Sequence, residues 1–464
     1  MHKKKITLLI FFSLINLINT TKANQTEPAI EREPQELAEF PELTPPMLEN
    51  IRRYTKIHNL IPVVFTGYIK YAAYYDTRQV FGLRDDYVLF APQEKRLDQT
   101  GKDINAKGQG DMSDIESRLR ATIKGPKIDN VEYFGVIEAD FLGFTASNLR
   151  NIYGVIPEFL NIFRLRHAFM QFDWEKYSFI AGQTWHPVIV PFCWVESISF
   201  NGGVPFEPFS RSPQVRFTYH NERIKIIAAA LSQVRFFNDG PEGFTTKYLR
   251  NAVIPNLHGQ LQIKIGEHLL IAGLDYKQLV PRIVTNKEFK VRESINSILA
   301  LFLVCLTWQD FYFRTKLTFV ENGTNFSMFG GYAVHTIDPI TDKRTYTNLR
   351  EIALWIDTAI KIKNVEPGLF MGVSKNLGAS KTIKQDVINN EGMITERRVF
   401  GIGTNINTLF RIAPRARWYI KKIVAAAELE YTRASYGTLT NKGKVIDTIP
   451  VGNTRFTFAV YYYF

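Results

Sequence analysis

Residues 455–464 read RFTFAVYYYF. Every second residue from Phe456 to Phe464 is apolar or aromatic, which predicts an extended strand with one continuous apolar face. The opposite face begins with the more polar Arg455 and Thr457. Such a strand fits the interior of a soluble sandwich or the wall of a membrane barrel, and other parts of the chain must distinguish the two.

The first residues have the layout of a secretory signal. Three consecutive lysines, Lys3 to Lys5, precede an apolar stretch at residues 6–18 and the sequence Thr21-Lys22-Ala23. A basic start, a short apolar core and a small residue before cleavage predict a signal peptide at residues 1–23. The core is shorter than the roughly 20 apolar residues that a spanning helix needs.

The rest of the chain lacks the composition of a helical membrane protein. Mean hydropathy is −0.13, and the longest later apolar run, residues 298–306, is too short to span a bilayer as a helix. A closed barrel is the other structure that satisfies its backbone in lipid. The two cysteines, Cys193 and Cys305, are predicted to be separate thiols, and no metal or cofactor is expected because the His and Cys spacings match no zinc pattern.

Residues 61–464 are predicted to form an all-β transmembrane antiparallel barrel of about 16 strands. Short links, such as residues 174–176 and 421–422, alternate with long ones, such as 77–112, 233–256 and 434–451. This alternation is typical of short periplasmic turns and long outer loops. Residues 24–60, rich in Glu and Pro, are interpreted as a periplasmic leader that assists assembly or as a disordered tether.

Charged side chains alternate with apolar ones along several predicted strands. Arg118 and Arg120 share the face opposite Leu119, and an arginine on the lipid face at mid-bilayer costs about 2–4 kcal/mol. These side chains should therefore face the lumen, where they either line the pore or brace it by pairing with Glu138, Asp140, Glu428 and Glu430. The same reasoning gives the pore-lining set Lys70, Glu116, Arg118, Arg120, Arg164, Arg166, Arg216, Arg411, Arg415 and Arg417.

The net charge of the chain is +12, and removal of residues 1–23 with their four lysines lowers it to +8. A basic lumen concentrates anions and slows cations. Nucleic-acid binding is the competing explanation of a basic chain, but no nucleic-acid-binding motif accompanies the charge and the chain is predicted to be exported.

The third long loop, residues 185–212, is rich in aromatic residues, Pro and Gly. That composition predicts a loop that packs against other parts of the protein. We expect it to enter the barrel and form a constriction, with Arg211, Glu207 and Glu196 as candidate residues of the narrow point. Packing at a subunit interface is the alternative.

Several motifs resemble the trimeric DcaP-like outer-membrane porins. They are SRLR at 117–120, GP at 125–126, GVIEADF at 135–141, LRHAF at 165–169, AGQTW at 181–185, SRSPQVR at 210–216, APR at 413–415 and ELEYT at 428–432. The resemblance spans nearly the whole barrel. It implies a homotrimeric, 16-stranded diffusion channel that favours anions, dicarboxylates in particular. The leader lacks the long coiled coil associated with that family.

The chain is therefore predicted to be an outer-membrane porin for passive diffusion of small hydrophilic solutes, leaning to anions. Its expected partners are membrane lipids, small anionic solutes, two further copies of itself, and barrel-assembly machinery that recognises Phe464. The alternatives are a closed structural or adhesin-type barrel and a membrane-embedded barrel enzyme. The enzyme is disfavoured because Ser210, His167 and His186 form no recognisable catalytic motif.

Overall fold

The structure, a computed structural model, describes residues 62–83, 87–143, 163–234 and 236–464. The predicted signal peptide and leader lie outside these residues. Sixteen strands close into the antiparallel barrel that the sequence predicts. They are β1 (Val63–Asp76), β2 (Gln109–Ser113 and Arg118–Lys124), β3 (Glu132–Asp140), β4 (Arg164–Asp173), β5 (Tyr177–Trp185), β6 (Arg211–His220), β7 (Ile224–Leu231), β8 (Asn256–Ile265), β9 (His268–Leu279), β10 (Ile295–Thr307), β11 (Phe311–Glu321), β12 (Arg344–Ile360), β13 (Val365–Ala379), β14 (Ile406–Ile420), β15 (Ile423–Leu439) and β16 (Val445–Tyr463).

The terminal strand closes the barrel. β16 pairs antiparallel with β1, from Tyr68 opposite Tyr463 to Asp76 opposite Arg455. Beyond the ladder, the Phe464 N–H donates to the Gly67 carbonyl at 3.1 Å, and the Gly67 N–H donates to the Phe464 carbonyl at 3.2 Å. The last residue therefore continues the backbone pairing of the seam.

Each wall strand has an apolar face and a polar face, as period-2 alternation requires. On β9, Leu274 is 63% exposed whereas its neighbour Asp275 is 3% exposed. On β6, Val215 and Phe217 are likewise exposed and Gln214 is buried. This pattern reverses that of a soluble β-protein and places the apolar side chains against lipid.

Among the described residues, no helix is both long enough and apolar enough to cross a membrane. The one α-helix found there is short, α1 (Lys247–Ala252), and the two 3₁₀ turns are Pro191–Cys193 and Gly323–Phe326.

Short turns and long loops alternate around the barrel as predicted, but the outer ends of several strands run further than expected. Residues 434–451, predicted as loop, are mostly strand, because β15 extends to Leu439 and β16 starts at Val445. Backbone pairing can continue above the membrane wherever alternating side chains allow it, and hydropathy gives no signal there. Additional short strands within the loops are Val80–Leu83, Val88–Pro92, Gly330–Ile337, Val387–Ile388, Ile394–Glu396 and Val399–Ile402.

A large apolar cluster lies on the inner side of the wall. Val188 and Phe206 from the loop between β5 and β6 pack with Phe90 of the strand Val88–Pro92 and with Trp355 of β12. This cluster belongs to segments that fold inward, and it positions the polar groups described next.

Candidate functional site

The loop between β5 and β6, residues 186–210 and hereafter the inward loop, contacts inward-facing side chains of the wall. Glu207 forms an ion pair with Lys316 of β11, and the Trp355 indole N–H donates to Glu207 Oε2 at 2.7 Å. Arg411 Nη1 of β14 donates to the Val204 carbonyl at 2.7 Å. The loop is thus fixed to β11, β12 and β14.

A second set of contacts holds the middle of the inward loop. The N–H groups of Ile198 and Ser199 donate to the two carboxylate oxygens of Glu428 at 2.9 and 3.0 Å. The Asn201 amide donates to Glu430 at 2.7 Å, and Lys70 Nζ donates to the Ile198 carbonyl at 3.0 Å. These wall residues belong to β15 and β1, so the loop reaches across the seam of the barrel.

The predicted pore arginines of β14 face inward but lie beneath this loop. Arg417 Nη1 is 2.9 Å from a Glu196 carboxylate oxygen, and Arg415 pairs with Asp357 of β12 at 2.7 Å. Together with Arg411 they are buried. In this position they support the loop rather than meet solution, as does Glu207, which the sequence offered as a constriction residue.

Sequence reasoning missed the role of the first long loop. Its strand Val88–Pro92 also folds inward: the Leu89 N–H donates to Asn201 Oδ1 at 2.7 Å and Tyr436 of β15 donates to the Pro92 carbonyl at 2.6 Å. The apolar run VLFAP was the available signal, but it lies inside a stretch of residues 77–112 that reads as a solvated loop. Lys70 pairs with Glu116 on this side, so their charges cancel locally.

On another part of the wall lies the arginine cluster: Arg118 and Arg120 on β2, Arg164 and Arg166 on β4, and Arg211 at the start of β6, with the carboxylates of Glu138 and Asp140 on β3. The sheet register causes this grouping, because Arg118 lies opposite Asp140 and Arg120 opposite Glu138, while Asp140 also lies opposite Arg164. Arg166 Nε is 2.6 Å from Glu138 and its Nη1 is 3.1 Å from Asp140. Arg164 Nε donates to Asp140 at 2.8 Å.

The members of the arginine cluster differ in how far they reach solution. The Arg118 and Arg120 side chains are 12% and 22% exposed and lie 3.6 Å from Glu138 oxygens. Those of Arg164 and Arg166 are only 6% and 2% exposed. Two of the guanidinium groups lie over aromatic rings. The Arg118 guanidinium is 5.1 Å from the centroid of the Tyr68 ring, and the Arg211 guanidinium is 4.6 Å from that of the Trp185 ring. Arg118 and Arg120 thus have the most exposed side chains of the cluster.

Arg216 lies next to the root of the inward loop. Its Nε donates to Gln214 Oε1 at 3.0 Å and its Nη2 to the Trp185 carbonyl. These bonds orient the start of the loop, so Arg216 has a structural contact in addition to the predicted position on the lumen face.

The side chains considered for a barrel enzyme all lie inside the wall. Ser210, His167 and His186 are buried, and His167 Nδ1 is 3.0 Å from Thr184 Oγ1. A lipase acting on membrane lipids would need its nucleophile on the outer surface, and these three residues do not lie there.

Both cysteines are buried free thiols and are close together, since Cys305 Sγ is 4.0 Å from the carbonyl of Phe192.

The outer loops carry a separate ionic cluster. Arg282 pairs with Glu293 at 2.7 Å and with Asp342 at 2.8 Å. Partial burial raises the pKa of the Asp342 carboxyl, but hydrogen bonds from Arg282, the Asn286 N–H and Arg344 outweigh it and hold the pKa below its usual range. The cluster joins the loop after β9 to the loop before β12.

The features above define a membrane-spanning β-barrel whose lumen is partly filled by its own loops. No protein-family model and no curated protein matches the sequence. Among solved structures, the chain is similar to the outer-membrane channel DcaP of Acinetobacter baumannii, with a TM-score of 0.60, 14% identity, and coverage of 88% of this chain and 98% of that one. The anion-selective porin of Comamonas acidovorans (TM-score 0.49, 8% identity, 87% and 100% covered) and OmpF of Salmonella typhi (0.49, 11%, 87% and 98%) also align.

The chain is therefore a multi-pass β-barrel of the bacterial outer membrane. Its fold is that of the DcaP-like porins, which confirms the family fold indicated by the sequence motifs.

Proposed function

We propose that this barrel is a passive diffusion channel for small hydrophilic solutes with a preference for anions. The observation that carries the proposal is the arginine cluster, in which the four guanidinium groups of Arg118, Arg120, Arg164 and Arg166 pair with the two carboxylates of Glu138 and Asp140. Pairing with the two carboxylates neutralises part of the positive charge of the arginines, and the net charge of the cluster remains positive. No catalytic step is assigned to the chain.

The electrostatic argument depends on distance from the solute path. Beyond a Debye length of about 8 Å in physiological salt, charges in solution are largely screened. The exposed guanidinium groups of Arg118 and Arg120 therefore dominate the electrostatic potential that acts on a passing ion, whereas the paired arginines of β14 contribute little. Charge-assisted hydrogen bonds from guanidinium to carboxylate are strong and often bidentate.

Dicarboxylates are the substrate class we propose. Arg118 and Arg120 are two residues apart on one face of β2, so their Cα atoms are separated by about 7 Å. One solute with two carboxylates can engage both heads in succession or together. The inward loop, which occupies lumen space next to β11, β12, β14 and β15, would confine such solutes to the side of the arginine cluster and form the constriction.

A homotrimer is proposed on the family resemblance and on one feature of the outer surface. Small side chains at Ala228, Ala230 and Gly259 leave a shallow apolar groove bordered by Phe217 and Leu274. A Cβ at Gly259 would meet no atom within 4 Å, so the groove is open. We expect Gly259→Trp to convert trimers to monomers in detergent, with Leu354→Trp on the outer face of β12 as the control.

Flux across liposomes tests the channel proposal. Purified folded barrel should admit succinate faster than a neutral polyol of similar size, and Arg118→Gln with Arg120→Gln should remove most of that difference while leaving polyol flux intact. The control is Lys247→Gln, whose exposed partner Glu242 lies in an outer loop. A barrel that admits neither solute would be a closed structural or adhesin-type barrel and would refute the proposal.

A further inference from the structure

Three side chains from separate segments meet inside the wall near the start of the inward loop. His186 is the first loop residue after β5, His258 lies on β8 and Asp275 on the adjacent β9. We propose that these residues form a binding site for a divalent transition metal ion of the zinc type. The proposal is independent of which solute the channel carries.

The distances suit a tetrahedral ion. His186 Nε2 is 3.2 Å from Asp275 Oδ2, and His258 Nδ1 is 3.5 Å from the same oxygen. All three ligand atoms lie within 4.8 Å of one another. Zinc binds imidazole nitrogen and carboxylate oxygen at about 2.0–2.2 Å, which separates neighbouring ligands of a tetrahedron by about 3.3–3.5 Å. An ion fits with small adjustments, and a fourth position remains for water.

The three atoms are also left without good partners. In the part of the chain that the structure describes, none of His186 Nε2, His258 Nδ1 and Asp275 Oδ2 makes a well-aligned hydrogen bond. The residues are 1%, 4% and 3% exposed, respectively. The His186 and His258 rings face Asp275 without a well-aligned hydrogen bond, and no described Lys or Arg forms an ion pair with it, which is costly for a buried carboxylate. A bound cation would supply the missing interaction to all three residues.

The second nitrogen of His258 supports a ligand role. Its Nε2 is 3.1 Å from Gln260 Oε1, and because an amide oxygen only accepts, Nε2 carries the proton. Nδ1 then presents a lone pair towards Asp275 Oδ2. Two acceptors that face each other repel, and a cation bound between them would turn this repulsion into attraction. An outer hydrogen bond of this kind is what orients metal-bound histidines in proteins.

Other groups around the site limit the affinity. His186 Nδ1 accepts a long bond, 3.3 Å, from the Val188 N–H, so the neutral ring carries its proton on Nε2 and metal binding has to displace it. Lys277 and Arg216 add positive charge nearby, although Lys277 bonds to Asn238 and Asn325 and Arg216 to the Trp185 carbonyl. We therefore expect binding weaker than in closed structural zinc sites.

The ligand set selects the class of ion. Two imidazoles and one carboxylate suit Zn²⁺, Co²⁺, Ni²⁺ or Cu²⁺, whereas Mg²⁺ and Ca²⁺ prefer all-oxygen sites. An ion here would join the root of the inward loop to β8 and β9. It would thereby add a fixed point on the side of the loop opposite its contacts with β14 and β15.

Co²⁺ titration of the full folded barrel in detergent tests the site, after treatment with a chelator. We expect visible absorption of tetrahedral Co²⁺ that saturates at one ion per chain and is displaced by Zn²⁺. His258→Gln and Asp275→Asn should each weaken binding by at least about tenfold. His220→Gln, at the end of β6, is the matched control and should bind as the parent does. Heat-modifiability on gels checks that each variant is folded.

Two results would overturn the proposal. One is a folded parent protein with no Co²⁺ absorption at millimolar metal, which would mean that His186 and Asp275 simply share a proton. The other is parental binding by a folded variant that lacks both His258 and Asp275. If these variants do not fold, X-ray absorption of the zinc-loaded parent decides, since a coordination shell with two imidazoles supports the site and one with fewer contradicts it.

Discussion

Glu207 of the inward loop and Lys316 of β11 form a buried ion pair whose side chains are 5% and 1% exposed. Trp355 donates a further hydrogen bond to the same carboxylate at 2.7 Å. Removal of one partner of a buried pair leaves an uncompensated charge and costs about 3–5 kcal/mol. The wall therefore specifies where the loop lies, and the loop's position is sensitive to a single side chain.

Lys316→Met should release the inward loop, because it leaves the Glu207 carboxylate in an apolar cluster without its ion-pair partner. We expect single-channel conductance that is larger and noisier than in the parent protein, measured in planar bilayers. The double variant with Glu207→Gln should recover much of the parental behaviour. Lys247→Met breaks an exposed ion pair with Glu242, which is worth little, and serves as the control. Unchanged conductance in Lys316→Met would show that the loop does not limit the pore.

Leu317→Lys should destabilise the barrel in lipid. Leu317 is 43% exposed on the outer face and lies six residues along β11 from its first residue, Phe311, which places it near mid-bilayer. A lysine there costs about 2–4 kcal/mol, whereas one near the interface costs about 0–1 kcal/mol. Denaturant unfolding in lipid vesicles should therefore separate Leu317→Lys from Ile265→Lys beside a short turn. Equal losses for the two variants would contradict the assigned lipid face.

Deletion of Phe464 should lower the yield of folded barrel in cells. It removes both backbone hydrogen bonds with Gly67 that extend the seam, together with the ring that barrel-assembly machinery is predicted to recognise. Phe464→Ala keeps the backbone bonds and separates the two contributions. The measurement is the heat-modifiable fraction in outer-membrane preparations. A parental yield after deletion would refute a role for the terminal residue in assembly.

Acid should loosen the outer loops. A hydrogen bond from Arg398 lowers the pKa of the Glu396 carboxyl, and hydrogen bonds lower that of Asp342 despite partial burial. Carboxyls with lowered folded-state pKa stabilise the structure above their unfolded pKa and lose this contribution as the pH falls through the folded value. Pepsin should therefore cut residues 280–293 and 338–344 faster at pH 2 than at pH 4, relative to an unstructured peptide. Arg282→Gln should make cleavage at pH 4 fast as well, and pH-independent cleavage would argue against the cluster.

The sequence alone predicts the barrel well because each wall strand must alternate between lipid and lumen. Arg118 and Leu119 on β2 are assigned to faces by the cost of an arginine in lipid, and the structure agrees. Inward orientation does not reveal what lies in front of a side chain. Arg415 and Arg118 have the same local pattern, yet Arg415 pairs with Asp357 beneath the inward loop and Arg118 borders the lumen.

The clusters inside the lumen could not be predicted, since they depend on contacts between distant segments. His186 and Asp275 are 3.2 Å apart, but three strands, β6 to β8, lie between them along the chain, and no spacing rule connects them. The inward loop was signalled by its aromatic, Pro- and Gly-rich composition. The second inward segment, Val88–Pro92, carried only a five-residue apolar run.

The reversal potential under a salt gradient tests the central claim most directly, with folded barrel in a planar bilayer. The parent channel should be anion-selective, and its selectivity should weaken as salt rises, because the relevant charges are partly screened. Arg118→Glu with Arg120→Glu should shift the reversal potential towards cations, while Lys247→Glu in an outer loop should not. A cation-selective parent channel, or a double variant with an unchanged reversal potential, would contradict the account.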